Sequence, residues 1–199
     1  MSDPSKKEFF DKEASGWDDR YHQDDKSEMR RLVGRFDLKP GDRVLDVGTG
    51  NGILLPHLLG KIKDTEKIVA LDFSWNMISE AAKIAKTANV CFFNASVEAL
   101  PLKKRTFDCI TCLATFAHVS DKRRAINEMG RVLKKGGRLY IAHLLGKKEL
   151  AEHHKLAGGV VEHDILPPDS EMMAMMENSG LKDIKITDQP DLYLASAKK

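Results

Sequence analysis

Short apolar segments alternate with amphipathic segments along the middle of the chain. The apolar segments are rich in valine, isoleucine and leucine, and they predict five strands, at residues 43–48, 67–73, 90–96, 107–116 and 138–145. The segments between them predict helices at residues 51–61, 75–87 and 121–133. This alternation is typical of parallel βαβ units, so we expect a doubly wound α/β sheet covered on both faces.

The two ends of the chain follow other patterns. Residues 1–40 have helical spacing and end at a turn signal, Lys39-Pro40-Gly41-Asp42. Near the other end, residues 169–180 predict a helix that is followed by two apolar segments with only a short turn between them. Strands joined so closely must pair antiparallel. The sequence therefore predicts a seven-stranded sheet, mostly parallel with a C-terminal antiparallel hairpin.

Composition narrows the class of protein. The chain has 199 residues, of which 42% are hydrophobic, and this suits one globular domain with a hydrophobic core. Its net charge of +2 argues against a dedicated nucleic-acid binder. We find no apolar run of the ~20 residues that span a membrane, and the charged start lacks a secretory signal. We therefore predict a cytoplasmic protein. Cys109 and Cys112 lie three apart on a predicted strand, so their thiols should point to opposite faces as core residues.

The segment VLDVGTGNG carries the first chemical signal, because it is a strand that runs into glycines at the start of a helix. Such a loop lets the backbone approach a ligand and can present free amide groups. A dinucleotide site prefers G-x-G-x-x-G, whereas the spacing here is G-x-G-x-G and Asp46 precedes it. A carboxylate there repels a pyrophosphate and suits a positively charged group. Asp72 ends the second strand, where it can accept hydrogen bonds from ribose hydroxyls. The pattern predicts a ribonucleoside ligand with a cationic end.

Several motifs in order resemble one known family. They are VLDVGTGNG, ALDFSWNM, SVEALP, FDCITCLATFAHV and RVLKKGGRLYIA, and together they are similar to the class I S-adenosylmethionine-dependent methyltransferases, in particular to the ubiquinone/menaquinone type. The resemblance covers roughly residues 40–145 and the terminal hairpin. It implies a Rossmann-like fold, S-adenosyl-L-methionine as cofactor, and S-adenosyl-L-homocysteine as product. It also implies in-line transfer of the methyl group to a small-molecule acceptor.

The resemblance also implies a set of cofactor-binding residues, with Asp46 at the methionine moiety, Asp72 at the ribose, and Phe73 and Met77 beside the adenine. Ser96 is a departure, because related enzymes usually have an aspartate there, and adenine recognition then depends more on Val97. The predicted cofactor-binding residues are Tyr21, Asp46, Gly48, Thr49, Gly50, Asp72, Phe73, Met77, Ser96, Val97 and Leu113.

Histidines dominate the predicted acceptor side. His118 follows the fourth strand and His143 lies near the end of the fifth; either could act as a general base or bind substrate, and we predict both as catalytic residues. His153, His154 and His163 are predicted substrate contacts in an insertion at residues 149–168. A solvated helix face and a metal site are the alternatives for these three and for His143. We predict a helical lid at residues 1–40, with Trp17, Tyr21 and His22 near the cofactor, and a methyltransferase domain at residues 41–199.

Other functions remain open at this point. An RNA or protein methyltransferase usually adds a recognition domain or a basic face, and neither is evident in the sequence. A non-catalytic S-adenosylmethionine-binding module would keep the glycine loop and Asp72. A nicotinamide-dependent oxidoreductase is disfavoured by Asp46 and the loop spacing. We expect a monomer or homodimer, and the sequence leaves the acceptor open.

Overall fold

The structure is a computed structural model that describes residues 3–16, 25–63, 68–84 and 90–199. Helices and strands alternate along the middle of the chain as the sequence predicts. The strands are β1 (Val44–Val47), β2 (Ile68–Asp72), β3 (Val90–Asn94), β4 (Phe107–Leu113), β5 (Leu133–His143), β6 (Lys182–Gln189) and β7 (Leu192–Lys198). The helices are α1 (Pro4–Glu13), α2 (Asp25–Gly34), α3 (Leu55–Ile62), α4 (Trp75–Ile84), α5 (Lys122–Val132), α6 (Lys147–Ala157) and α7 (Asp169–Asn178).

The seven strands form one sheet in the order β3-β2-β1-β4-β5-β7-β6. The first five are parallel to one another, whereas β7 runs antiparallel between β5 and β6. This confirms the predicted Rossmann-like fold with its terminal hairpin. Because β1 and β4 are central and parallel, the loops after β2, β1, β4 and β5 all open at one edge of the sheet.

Each face of the sheet carries its own apolar layer. Residues of α5 and α7 pack on one face, together with Cys112, and residues of α2 and α3 pack on the other, together with Cys109. The two thiols therefore point to opposite faces of β4, as the strand periodicity predicts. The methionine-rich helix α7 buries Met172, Met175 and Met176 as core residues.

Two boundaries differ from the sequence prediction. The strand β5 begins at Leu133, which pairs with Phe107 across a register shift, whereas the sequence placed the end of a helix there. The predicted insertion at residues 149–168 is helical in its first half, because α6 runs from Lys147 to a C-cap at Gly158 with a φ of 67°. No helix within the described ranges is both long and apolar enough to cross a membrane.

Candidate functional site

The glycine loop after β1 folds against the end of β2. The amides of Gly48 and Thr49 both donate to the carbonyl oxygen of Leu71, at 2.7 and 2.9 Å, and the amide of Gly50 donates to the Asp72 carboxylate at 2.9 Å. The prediction that these amides are free for a ligand is wrong, because β2 already uses them. Gly48 and Gly50 instead give the loop its shape, because their φ values of 68° and 55° are ones that other residues rarely adopt.

Two carboxylates are buried beside this loop. One oxygen of Asp46 accepts a hydrogen bond from the Thr111 hydroxyl at 2.8 Å, whereas its Oδ2 has no hydrogen-bond partner in the described part of the protein. Asp72 accepts from the amides of Gly50 and Ser74, each at 2.9 Å. Burial, against opposing hydrogen bonds, raises the pKa of both carboxyl groups to about 6, and at Asp72 the nearby charge of Asp46 contributes to this rise. A cationic ligand group would compensate these buried charges.

The carboxylates form one end of a cavity with a volume of about 350 Å³. The cavity crosses the ends of β2, β1, β4 and β5, so its far end lies beside β5 and α6. There the walls are apolar side chains interrupted by histidines, and we call this part the histidine half. Its lining residues are Leu113, His118, His143, Leu144, Leu145, Leu150, His153, His154, Ala157 and Val161. The lining, taken over the described residues, contains no lysine or arginine.

The imidazoles of the histidine half differ in their surroundings. His143 is buried at the end of β5, and its Nε2 has no hydrogen-bond partner among the residues that the structure describes. Burial lowers the pKa of His143 to about 3, so its ring is neutral at physiological pH. The ring of His154 lies 4.8 Å from that of His118, and burial lowers the pKa of His154 as well. No group of three or more His, Cys, Asp or Glu in the described ranges is arranged to hold a metal ion.

Helix α1 contributes to the wall of the cavity. Phe9 and Phe10 line it, and the Phe10 ring packs edge-on against Phe73 at 5.6 Å and against His118 at 5.1 Å. The carboxylate of Asp11 accepts a hydrogen bond from the Ser74 hydroxyl at 2.5 Å, which ties α1 to the start of α4. Aromatic residues of α1 are thus part of the cavity wall. The predicted ones, Trp17, Tyr21 and His22, lie outside the described residues.

A smaller cavity of about 50 Å³ adjoins the first and shares five lining residues with it, Gly48, Asp72, Phe73, Thr115 and His118. Ser96 and Val97 line this second cavity. The Ser96 hydroxyl accepts a hydrogen bond from the Glu98 amide at 3.2 Å and caps a short helical turn, Val97–Ala99. The hydroxyl that replaces the expected aspartate therefore also has a local structural role.

Comparisons with known proteins agree with this geometry. Residues 45–141 match a family described as a methyltransferase domain. A ubiquinone/menaquinone biosynthesis C-methyltransferase from Enterobacter is 33% identical over 155 residues, which cover 73% of this chain and 61% of that protein. The chain belongs to the class I S-adenosylmethionine-dependent methyltransferases. This chain thus spans less than two thirds of the length of that curated relative.

Solved structures share the fold of this chain. An S-adenosylmethionine-dependent methyltransferase from Aquifex aeolicus is 25% identical with a TM-score of 0.70, and the match covers 85% of this chain and 88% of that one. A Haloferax volcanii structure, described as a complex of the Trm112 methyltransferase activator with a methyltransferase, has a TM-score of 0.78 at 22% identity and covers 95% of this chain and 96% of the other. At this level of identity the second similarity concerns the fold alone.

The predicted site residues of this chain can now be located. Eight of the predicted cofactor residues line the larger cavity: Asp46, Gly48, Thr49, Gly50, Asp72, Phe73, Met77 and Leu113. Of the histidines, His118, His143, His153 and His154 line it too, whereas His163 is exposed and is not a lining residue. Sequence reasoning missed Phe9, Phe10 and a buried carboxylate, Asp164, that contacts His118. The roles of all these residues remain predictions.

The raised pKa values of Asp46 and Asp72 predict that cofactor binding depends on pH. A cationic cofactor favours the ionised carboxylates, so affinity should rise with pH up to about 6, where both groups titrate, and level off above it. Below that value we expect up to ~10-fold weaker binding per pH unit for each carboxylate that must ionise. Calorimetry between pH 5 and 8 measures this. Asp46→Asn should flatten the dependence, and constant wild-type affinity from pH 5 to 7 would contradict the prediction.

Proposed function

We propose that this methyltransferase transfers a methyl group from S-adenosylmethionine to a small, mainly uncharged acceptor that binds in the histidine half of the cavity. One observation carries the proposal: a single cavity joins two buried carboxylates to an apolar space with several imidazoles. A cationic cofactor suits the first end, and an organic acceptor of low charge suits the second. The two ligands would then meet beside Leu113, at the end of β4.

The cofactor end fits S-adenosylmethionine in its chemistry. Asp46 Oδ2 is buried without a protein hydrogen-bond partner in the described ranges, so it is suited to accept from the cofactor's ammonium group. A carboxylate has about four acceptor positions, so Asp72 can accept from both ribose hydroxyls besides its two amide donors. We place the adenine at the smaller cavity, between Phe73 and the turn that Ser96 caps.

The acceptor end is suited to an apolar ligand rather than to a charged one. Its walls are leucine, alanine and valine side chains, and we expect a carboxylate or phosphate acceptor to bind poorly without a lysine or arginine in the described lining. The neutral ring of His143 can hydrogen-bond one polar group of the acceptor. The name of the Enterobacter relative, a C-methyltransferase of ubiquinone/menaquinone biosynthesis, supports an acceptor of small-molecule type.

Catalysis in this site would rest mainly on position. The bound cofactor supplies a methyl group on a positively charged sulfur. The apolar walls and the phenylalanines of α1 would hold the acceptor in line with that group and keep water out. An oxygen or carbon acceptor also needs a base, and His118 is our candidate for that role. We predicted His143 as a second base, but its lowered pKa makes it a weak proton acceptor and suits it to hydrogen bonding to the acceptor. The monomeric or homodimeric state remains a prediction that light scattering would decide.

The acceptor half can be tested separately from the cofactor half. We expect His143→Ala and His154→Ala to keep their affinity for S-adenosylhomocysteine and to lower methyl transfer at least tenfold, because these rings contact the acceptor rather than the cofactor. A panel of phenols, hydroquinones, N-heterocycles and thiols with radiolabelled cofactor measures transfer, and calorimetry measures affinity. Lys155→Ala is the matched control, because Lys155 is exposed on the same helix.

Two results would contradict this function. Wild-type transfer by both histidine variants would remove these rings from the acceptor site. Tight cofactor binding without transfer to any small molecule would favour a protein or RNA acceptor, or a non-catalytic cofactor-binding module.

A further inference from the structure

A buried carboxylate joins three separate elements beside the histidine half. Asp164 follows the short helical turn Gly159–Val161, and its Oδ1 accepts a hydrogen bond from Lys6 in α1. Its Oδ2 lies 2.7 Å from Nδ1 of His118, which follows β4. Its backbone carbonyl oxygen accepts from Nδ1 of His154 at 2.5 Å. Asp164 lies outside the set of residues to which the sequence assigns a role.

We propose that Asp164 is a positioning residue that holds His118 in the tautomer with its proton on Nδ1, so that Nε2 presents a lone pair to the histidine half of the cavity. This inference rests on the proposed function, because it assigns His118 the role of base toward the acceptor. Asp164 itself is placed to act through His118 and not on the substrate.

The chemistry of the three groups fixes the direction of each hydrogen bond. An ionised carboxylate only accepts and a lysine ammonium only donates, so His118 must donate from Nδ1. Burial opposes ionisation of Asp164, but the hydrogen bonds from His118 and Lys6 outweigh it and lower the pKa of the carboxyl group. His118 lines both cavities, and Nε2 is its ring nitrogen that does not face Asp164, so Nε2 is the one available to a ligand.

In this role His118 Nε2 accepts the proton of an acceptor O–H or N–H while the electron pair of that atom forms the bond to the methyl carbon. The electron pair of the broken sulfur–carbon bond stays on sulfur, which becomes a neutral thioether. The imidazolium, stabilised by Asp164, then returns its proton to solvent.

Lys6 makes this arrangement depend on α1. Its ammonium donates to Asp164 and also to the carbonyl oxygen of His118, the latter at 3.2 Å. The phenylalanines of the same helix line the cavity. The helix that lines the site thus also donates the hydrogen bond that holds the Asp164 carboxylate in place.

The substitution Asp164→Asn tests the proposal through Lys6. Lysine can bond only the amide oxygen of the new side chain, so the amide nitrogen must face His118 and donate to its Nδ1. That change forces the His118 proton onto Nε2 and removes the lone pair from the cavity. We expect methyl transfer to fall by about 10²-fold.

The tautomer is read directly from long-range ¹H–¹⁵N spectra of the full chain, with the His118 signals assigned from a His118→Gln variant. This measurement needs no acceptor, so it decides the role of Asp164 even if the proposed function fails. Glu162→Gln is the control, because Glu162 is an exposed acid on the same segment. We expect it to keep the wild-type spectrum and activity.

A second substitution separates positioning from mere structure. In Lys6→Met/Asp164→Asn the amide is free to turn its oxygen toward His118, so the Nδ1–H tautomer and part of the transfer activity should return. A His118 that keeps its proton on Nδ1 in the single variant would overturn the proposal. So would a double variant that shows no return of that tautomer.

Discussion

Asp72→Asn is expected to lose at least 100-fold in affinity for S-adenosylmethionine while the free protein stays as stable as the wild type at pH 7. Each charge-assisted hydrogen bond to a ribose hydroxyl contributes about 1.5–3 kcal/mol, and Asp72 is placed to accept two. Stability should not suffer because the folded state holds this carboxylate at a cost. Its pKa is about 6 in the folded protein against an ordinary value of 3.8, which corresponds to about 3 kcal/mol above pH 6.

The free-energy cost of holding the Asp72 carboxylate in the folded state also predicts how stability depends on pH. Because the folded state binds its proton more tightly, wild-type stability should fall relative to Asp72→Asn as pH rises from about 4 to 6. Asp42→Asn is the matched control, since Asp42 is also buried but pairs with Arg138 at 2.6 Å near the opposite ends of the strands. It should lose about 3–5 kcal/mol of stability and keep its cofactor affinity when folded. Denaturant unfolding and calorimetry measure both, and undiminished binding by Asp72→Asn would remove this residue from the site.

Gly48→Ala should both destabilise the protein and abolish cofactor binding. A Cβ at this position would lie 2.1 Å from Oγ1 of Thr115 and 2.6 Å from its Cβ, so the stiff, branched side chain cannot simply turn away. The positive φ of 68° adds about 1–2 kcal/mol of backbone strain to a packing cost of about 1–3 kcal/mol. The loop lines both cavities, so its displacement should disturb the ligand as well.

Two further variants test whether the clash with Thr115 causes the effects of Gly48→Ala. Gly60→Ala, in α3, places its Cβ in open space and should raise the free energy of unfolding by about 0.5–1 kcal/mol. Gly48→Ala/Thr115→Gly removes the clash but not the strain, and should recover part of the lost stability. If Gly48→Ala has the wild-type free energy of unfolding and the wild-type cofactor affinity, then the close approach of this loop to Thr115 matters for neither stability nor binding.

The sheet and the carboxylates were predictable because their signals are local. Strand periodicity, glycine spacing and the positions of Asp46 and Asp72 each occupy a few consecutive residues, and parallel strand ends converge by topology. The use of the loop amides was not predictable, because it depends on how the end of β2 lies against β1 in space. A lone motif cannot show whether its donors are already satisfied.

The surroundings of His118 illustrate what pattern reasoning misses. Its partner Asp164 is 46 positions away in the sequence, and Lys6 is 158 positions from that aspartate. No spacing rule connects such residues, since the chain between them forms whole helices and strands. The histidines are numerous in the sequence, but only packing decides that His143 and His154 are buried whereas His153 and His163 are exposed.

The central strand β4 buries one thiol in each of the two apolar layers. The rate at which these thiols react with a reagent therefore reports how often the central sheet opens. Burial raises the pKa of the thiols of Cys109 and Cys112, whereas Cys91 is exposed on β3. An alkylating reagent should therefore modify one of the three cysteines of the native chain quickly. The other two become reactive only when β4 parts from its helices, and Leu113 at the end of that strand borders the cofactor cavity. A bound cofactor should slow that second, delayed reaction.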